Sequence, residues 1–139
     1  MPVVVGVDGS PVSNEAVRRA IAIAKATDEE VHLVHVFHPP ITPYLGAPFD
    51  MSGIANAERE EVWASVNQTG APSSMVTRVD LEGYPPDVLV DYVKNVGADL
   101  LVVGTRGRGE FAALILGSTS HRAIHLAPGD VLGVKPSHA

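Results

Sequence analysis

Apolar and polar positions along this chain alternate between two periods. Val3-Val-Val-Gly-Val7 and Leu100-Leu-Val-Val103 are short unbroken runs of mostly β-branched residues, and Val31 to Phe37 is a third with His32 and His35 interposed. Such runs suit strands covered on both faces of a parallel sheet. Ser73 to Leu81 and Asp130 to Lys135 read as two further strands. Between the strands the spacing becomes helical. Ala16, Val17, Ala20, Ile21 and Ala24 mark a helix from about Ser13 to Ala26, with Ser13 as its N-cap. Val62, Trp63 and Val66 mark a second, from Glu58 to Gln68. A third carries Leu89, Val90, Val93 and Val96 and stops at Gly97, and a fourth runs from Ser118 to Ala127.

Five strands alternating with four helices predict an α/β fold: a single-domain, doubly wound, five-stranded parallel sheet, Rossmann-like, over residues 1–139. The expected strand order is 3-2-1-4-5, with the first strand, helix and second strand forming a right-handed β-α-β unit. In this order the topological switch falls between the first and fourth strands, and ligands of open α/β sheets bind at such a switch. Residues 38 to 55 hold four prolines and two glycines and read as one long irregular loop. It leaves the carboxyl end of the second strand, so it is a candidate lid, with Tyr44 and Phe49 available to stack on a base.

Candidate chemistry concentrates after the fourth strand, in Ala98-Asp-Leu-Leu-Val-Val-Gly-Thr-Arg-Gly-Arg-Gly-Glu110 and Gly117-Ser-Thr-Ser120. Gly104, Gly107 and Gly109 let backbone N–H groups approach a ligand, Arg106 and Arg108 add positive charge, and Ser118, Thr119 and Ser120 open a helix whose N–H groups lack partners. Together they suit an anionic, phosphate-bearing ligand. Asp8 ends the first strand on the same sheet edge. Its residue type admits several roles: an Asx turn, a hydrogen bond to a ribose or base, or a hold on a metal bridging to phosphates.

Gly104-x2-Gly107-x9-Gly117-Ser118 has the form G-x2-G-x9-G-[ST] and resembles the nucleotide-binding signature of the ATP-binding branch of the universal stress protein family. The likeness extends to Val4-Val-Gly-Val-Asp-Gly-Ser-Pro11, to Val31–Val36 and to Gly97-Ala-Asp-Leu-Leu-Val-Val-Gly104. The resemblance implies the family's adenine-nucleotide alpha-hydrolase-like fold and a site for ATP or another adenine nucleotide, with Mg²⁺ as the metal that would accompany the phosphates. It implies that Asp8, with Gly6 and Val7 before it, contacts the nucleotide and that Val36 sits near adenine. Val103 and Gly104 to Arg108, including Arg106 and Gly107, would wrap the ribose-phosphate. Gly117, Ser118, Thr119 and Ser120 would hold phosphates. It also implies a stress-response role, a homodimer and little or slow ATP hydrolysis. Two residues depart from the family's pattern: Arg106 stands where many members have histidine, and Gly133 weakens the last strand.

Composition narrows the alternatives. The 139 residues carry a formal net charge of −6 and no cysteine, which argues against a nucleic-acid or anionic-membrane binder and excludes disulfides and thiolate metal sites. Localised positive charge at Arg106 and Arg108 in an acidic chain instead points to a small anion. The N-terminus enters a strand directly, and a cytoplasmic location is expected. His32, His35 and His38 alternate across the sheet, and His121 and His125 lack an intervening glutamate, so neither group reads as a metal site. The last strand, Val131 to Val134, is an exposed edge through which a homodimer is expected.

Two other functions compete with nucleotide binding alone. A slow Mg-dependent ATPase is one, although no Walker lysine loop is present. The other is a phosphorelay receiver, suggested by Asp8, Asp80, Thr105 and Lys135-Pro136 near strand ends. A receiver has no use for the glycine spacing.

Overall fold

The computed structural model describes residues 1–39, 51–105 and 126–135. Strands β1 (Val3–Val7), β2 (Val31–Phe37), β3 (Val76–Glu82), β4 (Leu100–Gly104) and β5 (Asp130–Val134) alternate with helices α1 (Pro11–Thr27), α2 (Met51–Asn67) and α3 (Pro85–Val96). All strand pairs are parallel, in the order β3-β2-β1-β4-β5. The expected topology is therefore the observed one. Three of the expected helices lie among the described residues; of the fourth, residues 118–125 lie outside them.

Alternation along the strands divides the core into two layers. Val3, Val5, Val7, Val31, Leu33, Val102 and Val134 pack with α1 and with Val62 and Val66 of α2. Val4, Val34, Val36, Leu101 and Val103 face the other way, onto Leu89, Val90 and Val93 of α3. Burying each such side chain contributes roughly 1.5–3 kcal/mol, so register matters more here than any single hydrogen bond. Pairing Val3 with both Val31 and Leu100 puts like faces together across three strands.

Several boundaries differ from the expected ones. Helix α1 starts at Pro11, and its N-cap is Ser10 rather than Ser13: the Ser10 hydroxyl accepts from the Ser13 N–H at 3.2 Å. Pro11 decides this, because its fixed φ suits the first helical turn and it lacks an N–H that would need a partner. Helix α2 starts at Met51, so the loop expected through residue 55 is helical in its last part. The final proline of that stretch is Pro48, and Gly53 alone costs a helix only about 1 kcal/mol. Strand β3 runs from Val76 to Glu82 rather than from Ser73 to Leu81, and β5 ends at Val134 rather than Lys135. The candidate lid, with Tyr44 and Phe49, lies outside the described residues over 40–50.

Helix α3 shows clear end chemistry. Pro85 and Pro86 occupy its first turn, and Gly97 closes it in the left-handed region at φ 69°. The chain then enters β4, and β5 is docked beside it through the Asp130 N–H, which donates to the Asp99 carbonyl at 2.8 Å. A methyl at Gly129 would collide with the Asp99 carbonyl, a backbone group that cannot swing aside. Gly129→Ala is therefore expected to destabilise the protein by about 1–3 kcal/mol. The check is a lowered urea midpoint at unchanged m-value.

Candidate functional site at the carboxyl ends of the central strands

Strand β1 is flanked by β2 on one side and β4 on the other, so the order in which the chain lays down strands reverses here. This is the topological switch, the place where open α/β sheets admit ligands. Gly6 and Val7 finish β1 and Asp8 follows, while Val103 and Gly104 finish β4. Val36 stands near the end of β2, one residue beyond the Val7–His35 pair. The structure thus brings Gly6, Val7, Asp8, Val36, Val103 and Gly104 to one edge of three adjacent strands. Arg106, Gly107, Arg108, Gly117, Ser118, Thr119 and Ser120 lie outside the described residues.

These residues offer different things to a ligand. The side chains of Val36 and Val103 are buried in the layer under α3, so they are core first. Gly6 has a packing reason of its own: a methyl there would stand 2.9 Å from a terminal carbon of Leu89. Gly104 is held in the ladder opposite Val134, and the Thr105 N–H donates to the Val134 carbonyl at 2.9 Å. The position of Gly133 also gains a reason, since a methyl there would come within 3.2 Å of the Thr105 methyl group. The end of β4 is thus fixed from the β5 side.

Asp8 is buried, and its carboxylate accepts from the Ser10 N–H at 2.9 Å, which makes it an Asx turn. Its own N–H donates to the Ser13 hydroxyl at 3.0 Å. Gly9 takes φ 79° between them, a left-handed conformation that glycine adopts without strain. Helix α2 holds the turn from outside: the Ser65 hydroxyl donates to the Gly9 carbonyl at 2.7 Å and accepts from the Asn14 side-chain amide at 3.0 Å. The sequence gives no signal for the anchoring roles of Ser13, Asn14 and Ser65: the apolar spacing marks Ser13 as a cap, and the Asn14–Ser65 contact joins helices with no shared interval.

A second polar cluster lies on the α2 face of β2 and β3. His35 is only 2% exposed. Its Nε2 is 2.7 Å from a Glu58 carboxylate oxygen and its Nδ1 is 3.1 Å from an Asp80 oxygen. The Trp63 indole N–H also donates to Asp80, at 3.0 Å, and Arg59 Nε lies 3.5 Å from the same carboxylate. Burial pulls the His35 pKa down, but the hydrogen bonds and charges of Glu58 and Asp80 outweigh it, leaving it raised above the ordinary 6.5. Asp80 also sits inside β3, occupied by these partners, which does not suit a receiver's phosphoacceptor at an open strand end.

The two other histidines among the described residues have partners of their own. His32, on the opposite face to His35, meets the Tyr92 hydroxyl at 2.7 Å and Glu30 at 3.1 Å, and His38 donates to the Gly83 carbonyl at 3.2 Å. Among the described residues, no group of His, Asp or Glu is placed to hold a metal. No helix among them is long and apolar enough to cross a membrane.

Comparison with known proteins converges on one family. The profile of the universal stress protein family matches residues 1–135. A universal stress protein of Methanocaldococcus jannaschii is 33% identical over 139 residues, covering 96% of this chain and 81% of that one. Among solved structures, a universal stress protein in complex with cAMP superposes with a TM-score of 0.69 at 31% identity, over 99% of this chain and 98% of the other. The universal stress protein of Archaeoglobus fulgidus in complex with dAMP gives a TM-score of 0.67 at 27% identity, covering 97% and 98%.

The Asp8 turn supplies a direct test of the site's architecture. Ser13→Ala removes the acceptor of a buried backbone N–H and is expected to cost about 1–3 kcal/mol. Thermal denaturation of the two proteins side by side measures it.

Proposed function

Because the chain belongs to the universal stress protein family, we propose that it binds an adenine nucleotide in the crevice between β1 and β4 and serves as a stress-response sensor or adaptor. The observation that carries this reading is the buried Asp8 turn, set on the central strand beside the end of β4, where the G-x2-G-x9-G-[ST] segment begins. Relatives of matching length have structures in complex with cAMP and with dAMP, which supports an adenine-nucleotide ligand.

In this reading the adenine lies against the ends of β1 and β2, near Val7 and Val36. Asp8 contacts the ribose or base. Gly104 to Arg108 wrap the ribose-phosphate, with the positive charge of Arg106 and Arg108 favouring the anion. Gly117, Ser118, Thr119 and Ser120 hold phosphates at a helix start. ATP is the ligand the spacing suits best, with Mg²⁺ on its phosphates. The protein acts by binding rather than by turnover, in the cytoplasm, and as a homodimer through β5.

Titration calorimetry with ATP, AMP and cAMP, with and without Mg²⁺, tests the site. Micromolar affinity for at least one is expected, weakened at least about tenfold by Gly104→Ala or Gly117→Ala, equivalent to about 1.4 kcal/mol. Unchanged affinity in both folded variants would remove the proposed site. The dimer has its own measurement: sedimentation at high micromolar concentration is expected to show the dimer mass, and monomer alone would exclude pairing through β5.

A further inference from the structure

The N-terminal half of α2 has little apolar contact with the sheet. From Gly53 to Glu61 every residue is exposed except Ala55, which is half-buried, and the first buried side chain is Val62. A helix of this kind obtains its stability from an apolar face, and residues 53–61 bury none. What joins it to β2 and β3 is polar: Glu58 to His35 at 2.7 Å, and Arg59 to Asp80 at 3.5 Å.

The geometry at His35 has a consequence for its protons. Both ring nitrogens face carboxylate oxygens, at 2.7 and 3.1 Å. A neutral imidazole has one N–H, so it satisfies one of these contacts and sets a lone pair against an anion at the other. Only the imidazolium donates to both. The two carboxylates are not equivalent. Asp80 also accepts from Trp63 and lies beside Arg59, whereas the Glu58 side chain is 45% exposed and has water within reach.

We propose that His35 is a proton-operated fastening for the N-terminal half of α2, closed when both ring nitrogens are protonated and opened at Glu58 when one proton leaves. The groups facing His35 are Glu58 and Trp63 from α2 and Asp80 from β3; β1 presents Val7 as its ladder partner. Behind them, Arg59 lies against Asp80 and Arg78 stacks on Trp63 at 5.1 Å. These two cations moderate the field but do not reach the ring nitrogens. On deprotonation the Nδ1–H stays with the better-anchored Asp80. Glu58 turns to water, and the turn of α2 that carries it loses its tie to β2.

The direction with pH follows from the raised pKa of His35. A group more readily protonated in the folded than in the unfolded chain adds its stabilisation fully below its unfolded value and loses it as pH rises through the folded one. The fastening is therefore closed below the ordinary histidine value of 6.5 and opens as pH rises through the raised one. The proposal concerns the free protein and does not depend on nucleotide binding.

Amide exchange of the full chain, read by NMR as protection factors so that the intrinsic pH dependence cancels, tests it together with a titration of the His35 ring nitrogens. Between pH 6 and 9, protection of residues 55–61 is expected to fall about tenfold, the worth of one charge-assisted hydrogen bond. Residues 16–24 of α1 should fall by no more than this, through the loss of overall stability alone. Glu58→Gln, at an exposed position that leaves the core intact, should lower the His35 midpoint and abolish the step. A step that persists in Glu58→Gln, no step at all in the unaltered protein, or a His35 midpoint at or below its ordinary value would each overturn the proposal.

Discussion

The pairing of β1 with both β2 and β4 is the constraint on which the rest of this structure depends. Val3 is matched to Val31 on one side and to Leu100 on the other, and this register aligns the apolar faces of three strands at once. A slip by one residue would turn Val3, Val5 and Val7 from the α1 layer to the α3 layer. The same register brings the ends of β1 and β4 to one sheet edge, so Asp8 stands at the topological switch where open α/β sheets admit ligands. Core packing and site placement are thus one fact seen from two ends of the strands.

Around that switch the structure combines rigid and weakly held parts. The Asp8 turn is tied down through Ser10, Ser13 and Ser65, and the end of β4 through Thr105 and Val134. The N-terminal half of α2, by contrast, hangs on charged contacts to His35 and Asp80. Its C-terminal half is anchored by Val62 and Val66 in the core and also carries Ser65. One helix therefore has a fixed end, which supports the turn at the site, and a tethered end, which responds to protons.

The strand order was legible because buried parallel strands announce themselves as apolar runs, and Val3–Val7, Val31–Phe37 and Leu100–Val103 contain few competing signals. The C-terminus of α3 was legible for a similarly local reason, a glycine needed at φ 69°. Errors arose where two local rules competed. Ser10 and Ser13 are both capable caps, and Pro11 rather than the apolar spacing chose between them. Ser52 and Gly53 look like loop residues, but their helix cost is small. Of the candidate site, the place of Asp8 at the end of β1 could be read from the strand pattern, and the glycine segment beyond Thr105 lies outside the described residues. The roles of Asn14, Ser65 and the Glu58–His35–Asp80 cluster could not be read, because each joins residues far apart in the chain with no repeating interval between them.

The separation of β1 from β4 has a further consequence, for the order in which the molecule is assembled. Strands β1 and β2 are joined through a single helix and can form a local unit early. The β1–β4 seam must wait until two more helices and strand β3 have been laid down between them. Closing so long an intervening segment carries a larger entropic cost and slows the step that needs it. The juxtaposition of Asp8 with the end of β4 is therefore absent from any partly folded chain that lacks this seam. A ligand bound there, as proposed, recognises only chains in which β1 and β4 have already met, so it would consolidate folded protein rather than guide the nascent chain.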